Sequence, residues 1–291
     1  MFGSTVLEVA IGLTFCYGTL ALIVSTVQEA LASLFRLRAN TLLDGVKSML
    51  NDPRFSALAQ QVYAHPLVNP HSDGSIATQR TLRARPSYIE PMHFAIALVD
   101  SIQQVPGNFT RLGADIAAVR DPQVRRALQA LYQRSGGDLQ QFQQAVAGWF
   151  DSAMERVSGA YKRQSLLMSL LLSMLLTIMF NIDSIHLFQA LWQQPGLTAH
   201  IQAVPATLDR AALDALLTLP IGWTSFPPQF NGAFLLQAAG WLVTAATALF
   251  GAPFWFDILQ RAMQMRGTGS KPEEGPRAQP LPAAKGLRAQ A

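Results

Sequence analysis

Three long apolar runs constrain the fold of this chain more than any other feature. They cover Val6–Gln28, Ser165–Ile182 and Phe234–Phe256, and each is near the roughly 20 residues that an α-helix needs to cross the hydrocarbon core of a bilayer. Glu8 is the only acidic or basic residue within them. Because a backbone that crosses lipid must satisfy its own hydrogen bonds, these runs predict three transmembrane helices.

The composition agrees with a membrane protein. Half of the 291 residues are hydrophobic and 14% are charged, whereas soluble domains usually carry about a quarter charged residues. The formal charge of +4 is too small to indicate a nucleic-acid partner, and we expect none. Cys16 is the only cysteine, so no intrachain disulfide can form, and we interpret it as a buried apolar residue.

The first apolar run has a rival interpretation as a secretory signal peptide. A signal peptide has a basic start, a shorter apolar core and a small-residue cleavage site. Here no Lys or Arg precedes Arg36, and the apolar run continues for too long. The sequence therefore favours a retained transmembrane helix.

Lys and Arg are distributed unevenly among the segments between the apolar runs. Residues 1–35 contain none, 36–164 contain 15, 184–233 contain one (Arg210) and 257–291 contain six, which accounts for all 22. Cytoplasmic loops attract Lys and Arg. The sequence thus predicts a multi-pass protein of the cell inner (plasma) membrane, with the N-terminus outside and the C-terminus in the cytoplasm.

The predicted fold class is an all-α membrane protein in which a helical cytoplasmic domain is inserted between the first and second of three transmembrane helices. The expected segments are the first transmembrane helix (1–35), the cytoplasmic domain (36–164), the second transmembrane helix (165–184), an extracytoplasmic loop (185–233), the third transmembrane helix (234–256) and a cytoplasmic, largely disordered tail (257–291).

The cytoplasmic domain ends in the most informative of its predicted helices. Asp138 and Gln141 have the spacing of a capping box, which marks a helix start. Apolar residues then recur every three or four positions, and we expect Phe142 and Trp149 to pack in the cytoplasmic core. Only Ser158-Gly159 interrupts the pattern before the second apolar run, and the sequence leaves open whether one helix continues from Asp138 to Ser184.

A polar stripe follows one side of the second apolar run, and a small-residue face follows the third. Small and polar residues let helices approach closely and hydrogen-bond, so we expect helix packing within the chain or between copies. The alternative is a pore lining in an oligomer. The residues are Ser165, Ser169, Ser173, Thr177 and Asn181 in the stripe, and Gly240, Thr244 and Ala248 in the face.

Charged and aromatic residues mark the expected membrane boundaries. We expect Glu8 near the outer surface and Glu29 near the inner one, where Glu29 could pair with Arg36, Lys162 or Arg163. Aromatic rings suit the interface, and Asp257 with Arg261 has the spacing of a helical ion pair. The predicted interface residues are Glu29, Arg36, Lys162, Arg163, Trp223, Trp255, Asp257 and Arg261, and Phe226 and Phe230 extend the aromatic belt around Trp223.

Residue patterns of known catalytic or metal sites are missing from the sequence. His65 and His71 lie close together in a loop, but no third ligand follows at a familiar spacing, and no G-x-S-x-G or phosphate-binding glycine motif occurs. We therefore predict no enzyme activity, no metal and no cofactor.

Four stretches point to a family. "EALASLFRLRANTLLDGVKSML", "PSYIEP", "WFDSAMERVSGAYKR" and "GAPFWFDILQRAMQMRGTG" together resemble an uncharacterised family of bacterial inner-membrane proteins. The resemblance implies a shared architecture at the inner membrane boundary, and it assigns no catalytic or ligand-binding residue.

These features predict a non-enzymatic membrane anchor or scaffold. Its expected partners are membrane lipid and other membrane or cytoplasmic proteins, or its own copies in a homo-oligomer. The alternative function is a channel or transport component whose oligomeric pore is lined by the second transmembrane helix.

Overall fold

A computed structural model describes residues 2–70, 82, 85–201, 204–205, 207–223 and 232–267. These residues form eleven α-helices, one 3₁₀ helix at Pro195–His200 and no strand, so the predicted all-α class is confirmed. The helices are α1 (Phe2–Leu34), α2 (Leu37–Met49), α3 (Leu58–Ala64), α4 (Pro91–Ile102), α5 (Phe109–Ala117), α6 (Pro122–Arg134), α7 (Leu139–Met179), α8 (Ser184–Gln193), α9 (Arg210–Leu217), α10 (Gly232–Ala248) and α11 (Ala252–Gly267).

The chain divides into two compact units. We call Val24–Leu172 the helical domain, and we call Met1–Ile23 together with Ser173–Ala291 the apolar-helix unit. Both units take part of α1 and part of α7. The helical domain is thus wider at both ends than the 36–164 segment expected from the sequence, because it includes the end of α1 and more of α7.

Aromatic stacking organises the core of the helical domain. Phe94 of α4 and Phe150 of α7 are 0% and 1% exposed, and their ring centroids lie 4.1 Å apart at 18°. Phe109 stacks on Tyr132 at 4.3 Å, and Phe142 meets both rings edge-on. Burial of such rings supplies much of the hydrophobic stabilisation of a small helical core.

Side-chain caps start four helices of this domain, α4 to α7, whereas α2 and α3 have none. The Asp138 carboxylate accepts bonds from the amides of Gln140 and Gln141 at 2.7 and 3.3 Å, which is the N-cap half of the predicted capping box. The other half is not formed, because the Asp138 amide donates to the Ser135 carbonyl at 3.0 Å. Asp121 caps α6 in the same way, and the amide of Val124 with the side chain of Asn51 holds the pKa of Asp121 below its ordinary value.

Helix α7 is continuous across Ser158-Gly159 but ends before Ser184. It runs for 41 residues without a break at Ser158-Gly159, which corresponds to roughly 60 Å at 1.5 Å per residue. It ends at Met179 rather than Ser184 because Asn181 has a positive φ of 47° and Asp183 caps α8. Asn tolerates this left-handed conformation, so a helix can end just before it.

Two helices, α1 and α7, are long and apolar enough to cross a membrane, and the third candidate is broken. Helices α10 and α11 pass the same test only as a pair that is bent by 97°. The bend lies where Gly251 has a φ of +81° and Pro253 occupies the first turn of α11. The apolar run Phe234–Phe256 thus forms parts of two helices, since a left-handed glycine followed by proline ends one helix and starts another. The predicted third membrane crossing stays a prediction.

The C-terminal segment begins with a helix, since α11 extends to Gly267. Residues 257–267 of the expected disordered tail belong to this helix, and residues 268–291 lie outside the described part of the chain, as do Phe226 and Phe230. Within the apolar-helix unit, α11 packs antiparallel to α1: Trp255 contacts Tyr17, whereas Arg266 reaches Glu8.

Candidate functional site

Three of the four sequence stretches quoted above contribute to one groove of the helical domain. The groove has a volume of about 520 Å³ and lies between α2, the segment 87–91 and the middle of α7. Its lining includes Arg38 and Leu42 from the first stretch, Tyr88 from "PSYIEP", and Met154 and Glu155 from the stretch on α7. Residues that are distant in sequence are thus neighbours at a single surface.

The floor of the groove is rigid and its rim is polar. Phe150, which also lines the groove, is held by its stack on Phe94. Helices α2 and α7 approach closely, since a Cβ atom on Gly45 would lie 2.8 Å from the Val157 side chain. Tyr88 is 72% exposed, and an exposed aromatic residue beside charged groups is typical of protein contact surfaces.

The first half of the polar stripe packs inside the helical domain. Gln28 of α1 donates from Nε2 to Ser165 Oγ at 2.5 Å, and its side-chain oxygen accepts a hydrogen bond from Ser169. The two predicted stripe residues thus join α7 to α1 through one glutamine that the sequence analysis did not single out.

Asn181 organises a polar cluster in the apolar-helix unit. Its Oδ1 accepts hydrogen bonds from Trp241 Nε1 at 2.9 Å and from Gln237 Nε2 at 2.7 Å, and its Nδ2 donates to the carbonyl of Gly222 at 2.9 Å. Because Asn181 ends α7, its side chain ties this helix to α10. Hydrogen bonds of this kind between neighbouring helices are a common feature of helix packing.

A second polar cluster lies one turn away and contains Thr244 of the predicted small-residue face. Thr244 Oγ1 donates to the Ile182 carbonyl at 2.8 Å and lies 2.6 Å from Ser184 Oγ, which in turn accepts a bond from Tyr17. Gly240 and Ala248 are buried on the same side of α10. This face is therefore buried within the described part of the chain.

Ser173 and Thr177, in the middle of the stripe, are both 0% exposed. Neither hydroxyl has a hydrogen-bond partner among the described residues. A residue that lines an open water-filled pore exposes its polar atoms, so the burial of these two residues does not favour the pore alternative.

Glu8 forms the most informative ion pair of the apolar-helix unit. Its carboxylate lies 3.2 Å from Nε of Arg266 and accepts a hydrogen bond from Thr198. The sequence predicts Glu8 near the outer membrane surface and residues 257–291, which include Arg266, in the cytoplasm. Because the hydrocarbon core is about 30 Å thick, two groups in contact cannot lie on opposite sides of it, so this ion pair does not support that pair of placements.

Glu29 pairs with a residue that the sequence analysis did not name. Its carboxylate lies 3.2 Å from the guanidinium of Arg38, and no ion pair joins it to Lys162 or Arg163, both of which the structure describes. Lys162 instead lines the groove, and Arg163 is exposed. Arg36 joins α1 to α2 with a left-handed φ of 50°.

The sequence Trp-Phe-Asp occurs twice, at residues 149–151 and 255–257, and the two copies pack differently. Trp255 donates from Nε1 to the carbonyl of Thr247 at 2.8 Å and meets Tyr17 edge-on, so it stabilises the bend between α10 and α11. In the earlier stretch, Phe150 is the central core residue, and Trp149 is only partly buried beside it. Phe142 is buried as predicted.

The remaining predicted boundary residues are placed as follows. Trp223 donates from Nε1 to the carbonyls of Ile178 and Met179, the last two residues of α7, at 3.1 and 3.2 Å. No ion pair joins Asp257 to Arg261 in the described part of α11. His65 lies 3.3 Å from Asp100, and His71 is outside the described residues.

Neither a search for metal-binding clusters nor comparison with known proteins assigns a function to a residue of this chain. No group of three or more His, Cys, Asp or Glu side chains within the described ranges could hold a metal ion. Comparisons with family models, curated proteins and solved structures gave no match to the chain. The resemblance to a bacterial inner-membrane family therefore stays a prediction from the four motifs.

Proposed function

We propose that this protein is a non-enzymatic membrane anchor and scaffold whose helical domain binds partner proteins or further copies of itself. One observation supports this most strongly: α7 joins a packed core to a lipid-compatible surface in one helix. Phe142, Val146 and Phe150 are at most 1% exposed, whereas Leu166, Leu167 and Leu171 are 55%, 56% and 62% exposed. Exposed leucines in such a row are typical of a surface that contacts lipid.

The distribution of charge supports a cytoplasmic location for the helical domain. Fifteen of the 22 Lys and Arg residues lie in 36–164, and none lies in 1–35. In this proposal α1 and α7 cross the membrane, and α10 and α11 form a broken pair that does not cross it. Since Glu8 contacts Arg266, the end of α11 then lies outside, on the same side as the N-terminus.

The groove is the surface that we assign to partner binding. Residues from three of the four quoted sequence stretches form it, and Tyr88 lies at its rim together with acidic and basic side chains. Mixed charges around an aromatic residue favour a specific protein contact over bulk adhesion.

Site-specific photo-cross-linking in cells tests this assignment. With p-benzoylphenylalanine in place of Tyr88, we expect discrete high-mass adducts, because this side chain is 72% exposed at the groove. The adducts should be lost with Glu155→Lys, which reverses a groove charge, and kept with the matched control Arg156→Glu, whose side chain is exposed but does not line the groove. Adducts that are absent, or that survive Glu155→Lys, would contradict a partner-binding groove.

A further inference from the structure

A second cavity of the helical domain has a different chemical character from the groove. We call it the basic pocket; its volume is about 750 Å³, and it lies where α1 meets α2. Its lining combines three arginines with one acid, Arg36, Arg38, Arg85 and Glu29, and with the polar residues Ser33 and Asn69. Among the described lining residues, three cations and one carboxylate give a net charge of +2 (3 − 1), which favours an anionic ligand.

Neighbouring side chains orient two of these guanidinium groups. Arg38 lies 3.2 Å from Glu29, and Arg85 donates from Nη1 to Asn40 Oδ1 at 2.5 Å. A guanidinium that is held in place loses less conformational freedom when it binds a phosphate, and its planar fork suits bidentate contact with phosphate oxygens.

The backbone at the pocket adds to this preference for an anion. The first turn of α2 lines the pocket, and no side chain caps this helix. Its first N–H groups therefore contribute partial positive charge beside the arginines.

The residues just before the pocket indicate where the anion comes from. Leu34 and Phe35 are 74% and 59% exposed, and they directly precede Arg36. Apolar side chains next to arginines are typical of the boundary between lipid acyl chains and headgroups. At this boundary the apolar side chains contact the acyl chains, and the arginines contact the headgroup phosphates. Binding of a soluble anion would not explain why Leu34 and Phe35 are exposed beside the pocket.

We propose that the basic pocket binds the headgroup phosphate of an anionic phospholipid, with Arg36, Arg38 and Arg85 as its ligands. This inference rests on the proposed membrane location of α1. It does not depend on partner binding by the groove. Arg38 lines both cavities, but Glu155, which the cross-linking test changes, lines only the groove, and Glu29 lines only the basic pocket, so the two proposals fail separately.

Lipid titration of the full-length protein in a non-ionic detergent tests the pocket. The probes are dioctanoyl phosphatidylglycerol, dioctanoyl phosphatidylcholine and glycerol 3-phosphate, and the apparent Kd is taken from the rise of the melting temperature with ligand concentration. We expect saturable binding of phosphatidylglycerol, at least tenfold tighter than binding of either other probe.

Two opposite variants separate ligand binding from a structural effect, because both break the same Arg38–Glu29 ion pair. Arg38→Gln removes a phosphate ligand and should weaken binding roughly tenfold, whereas Glu29→Gln removes the one acid and should strengthen it. The control Arg126→Gln removes an exposed charge of α6 outside the pocket and should leave the Kd unchanged.

Three results would overturn the proposal. Equal affinity for phosphatidylglycerol and phosphatidylcholine would exclude selection of an anionic headgroup. Equal affinity for glycerol 3-phosphate would identify a soluble phosphate as the ligand. A change in the same direction for Arg38→Gln and Glu29→Gln would assign the ion pair a purely structural role.

Discussion

Phe150→Ala is expected to lower the free energy of unfolding of the helical domain by about 3–5 kcal/mol, the range for removal of a buried Phe side chain. Phe150 is 1% exposed, stacks on Phe94 and forms the floor of the groove, so the substitution leaves a cavity that the surrounding helices cannot easily fill. Thermal or urea unfolding of the full-length protein in detergent, followed by far-UV circular dichroism, measures the loss.

The two preceding residues are matched controls on the same turn of α7. Trp149 is only partly buried, so Trp149→Ala should cost less than Phe150→Ala. A Cβ atom on Gly148 would meet nothing within 4 Å, so Gly148→Ala should stabilise the domain by up to about 1 kcal/mol through helix propensity. A larger loss from Trp149→Ala than from Phe150→Ala would show that the core is centred elsewhere.

Gly240→Ala is expected to destabilise the apolar-helix unit by about 2–4 kcal/mol, as the combined cost of overpacking and a lost helix cap. The new Cβ atom would overlap Oδ1 of Asp183 and lie 2.6 Å from its Cγ atom. The same Oδ1 accepts the amide of Ile185 at 2.8 Å and starts α8, so the carboxylate cannot move away without loss of this cap. The melting temperature of the full-length protein in detergent reports the effect.

A double-mutant cycle isolates the clash as its cause. Asp183→Ser keeps an N-cap oxygen on a shorter side chain, so Gly240→Ala should cost much less in the Asp183→Ser background than alone. Gly232→Ala is the control within α10, since nothing lies within 4 Å of its Cβ position. Additive effects of Gly240→Ala and Asp183→Ser would mean that the two residues are not in contact.

Local chemistry explains which parts of the fold were predictable. The caps at Asp121 and Asp138 depend on residues within three positions, and the apolar length of α1 and α7 is a property of continuous sequence. The break after Ala248 was also visible as Gly251 followed by Pro253, but average hydropathy over a long window conceals a two-residue signal. The end of α7 at Met179 has a similar signal in Asn181 and Asp183.

Other features depend on contacts that no local pattern contains. The choice between Trp149 and Phe150 as the core residue is a rotation of one position around α7, and only the stack on Phe94 decides it. The groove joins Arg38, Tyr88 and Glu155, which are at least 50 residues apart in sequence. The Glu8–Arg266 ion pair joins the two ends of the described chain, and charge counts alone predicted opposite sides for them.

Single-cysteine accessibility tests the central proposal most directly, namely that the helical domain is cytoplasmic and that α8 and the end of α11 lie outside. Cys16 is the only cysteine and is buried, so Cys16→Ala provides a cysteine-free background. Single cysteines at Gln140, Gln193 and Met265, all exposed, report the domain, α8 and α11 respectively. Intact cells are treated with a membrane-impermeant maleimide and compared with opened cells.

We expect Gln193→Cys and Met265→Cys to be labelled in intact cells, and Gln140→Cys to be labelled only after the membrane is opened. Labelling of Gln140→Cys in intact cells would contradict the cytoplasmic location of the helical domain. Labelling of Gln193→Cys without Met265→Cys would contradict the two-crossing arrangement that the Glu8–Arg266 contact supports.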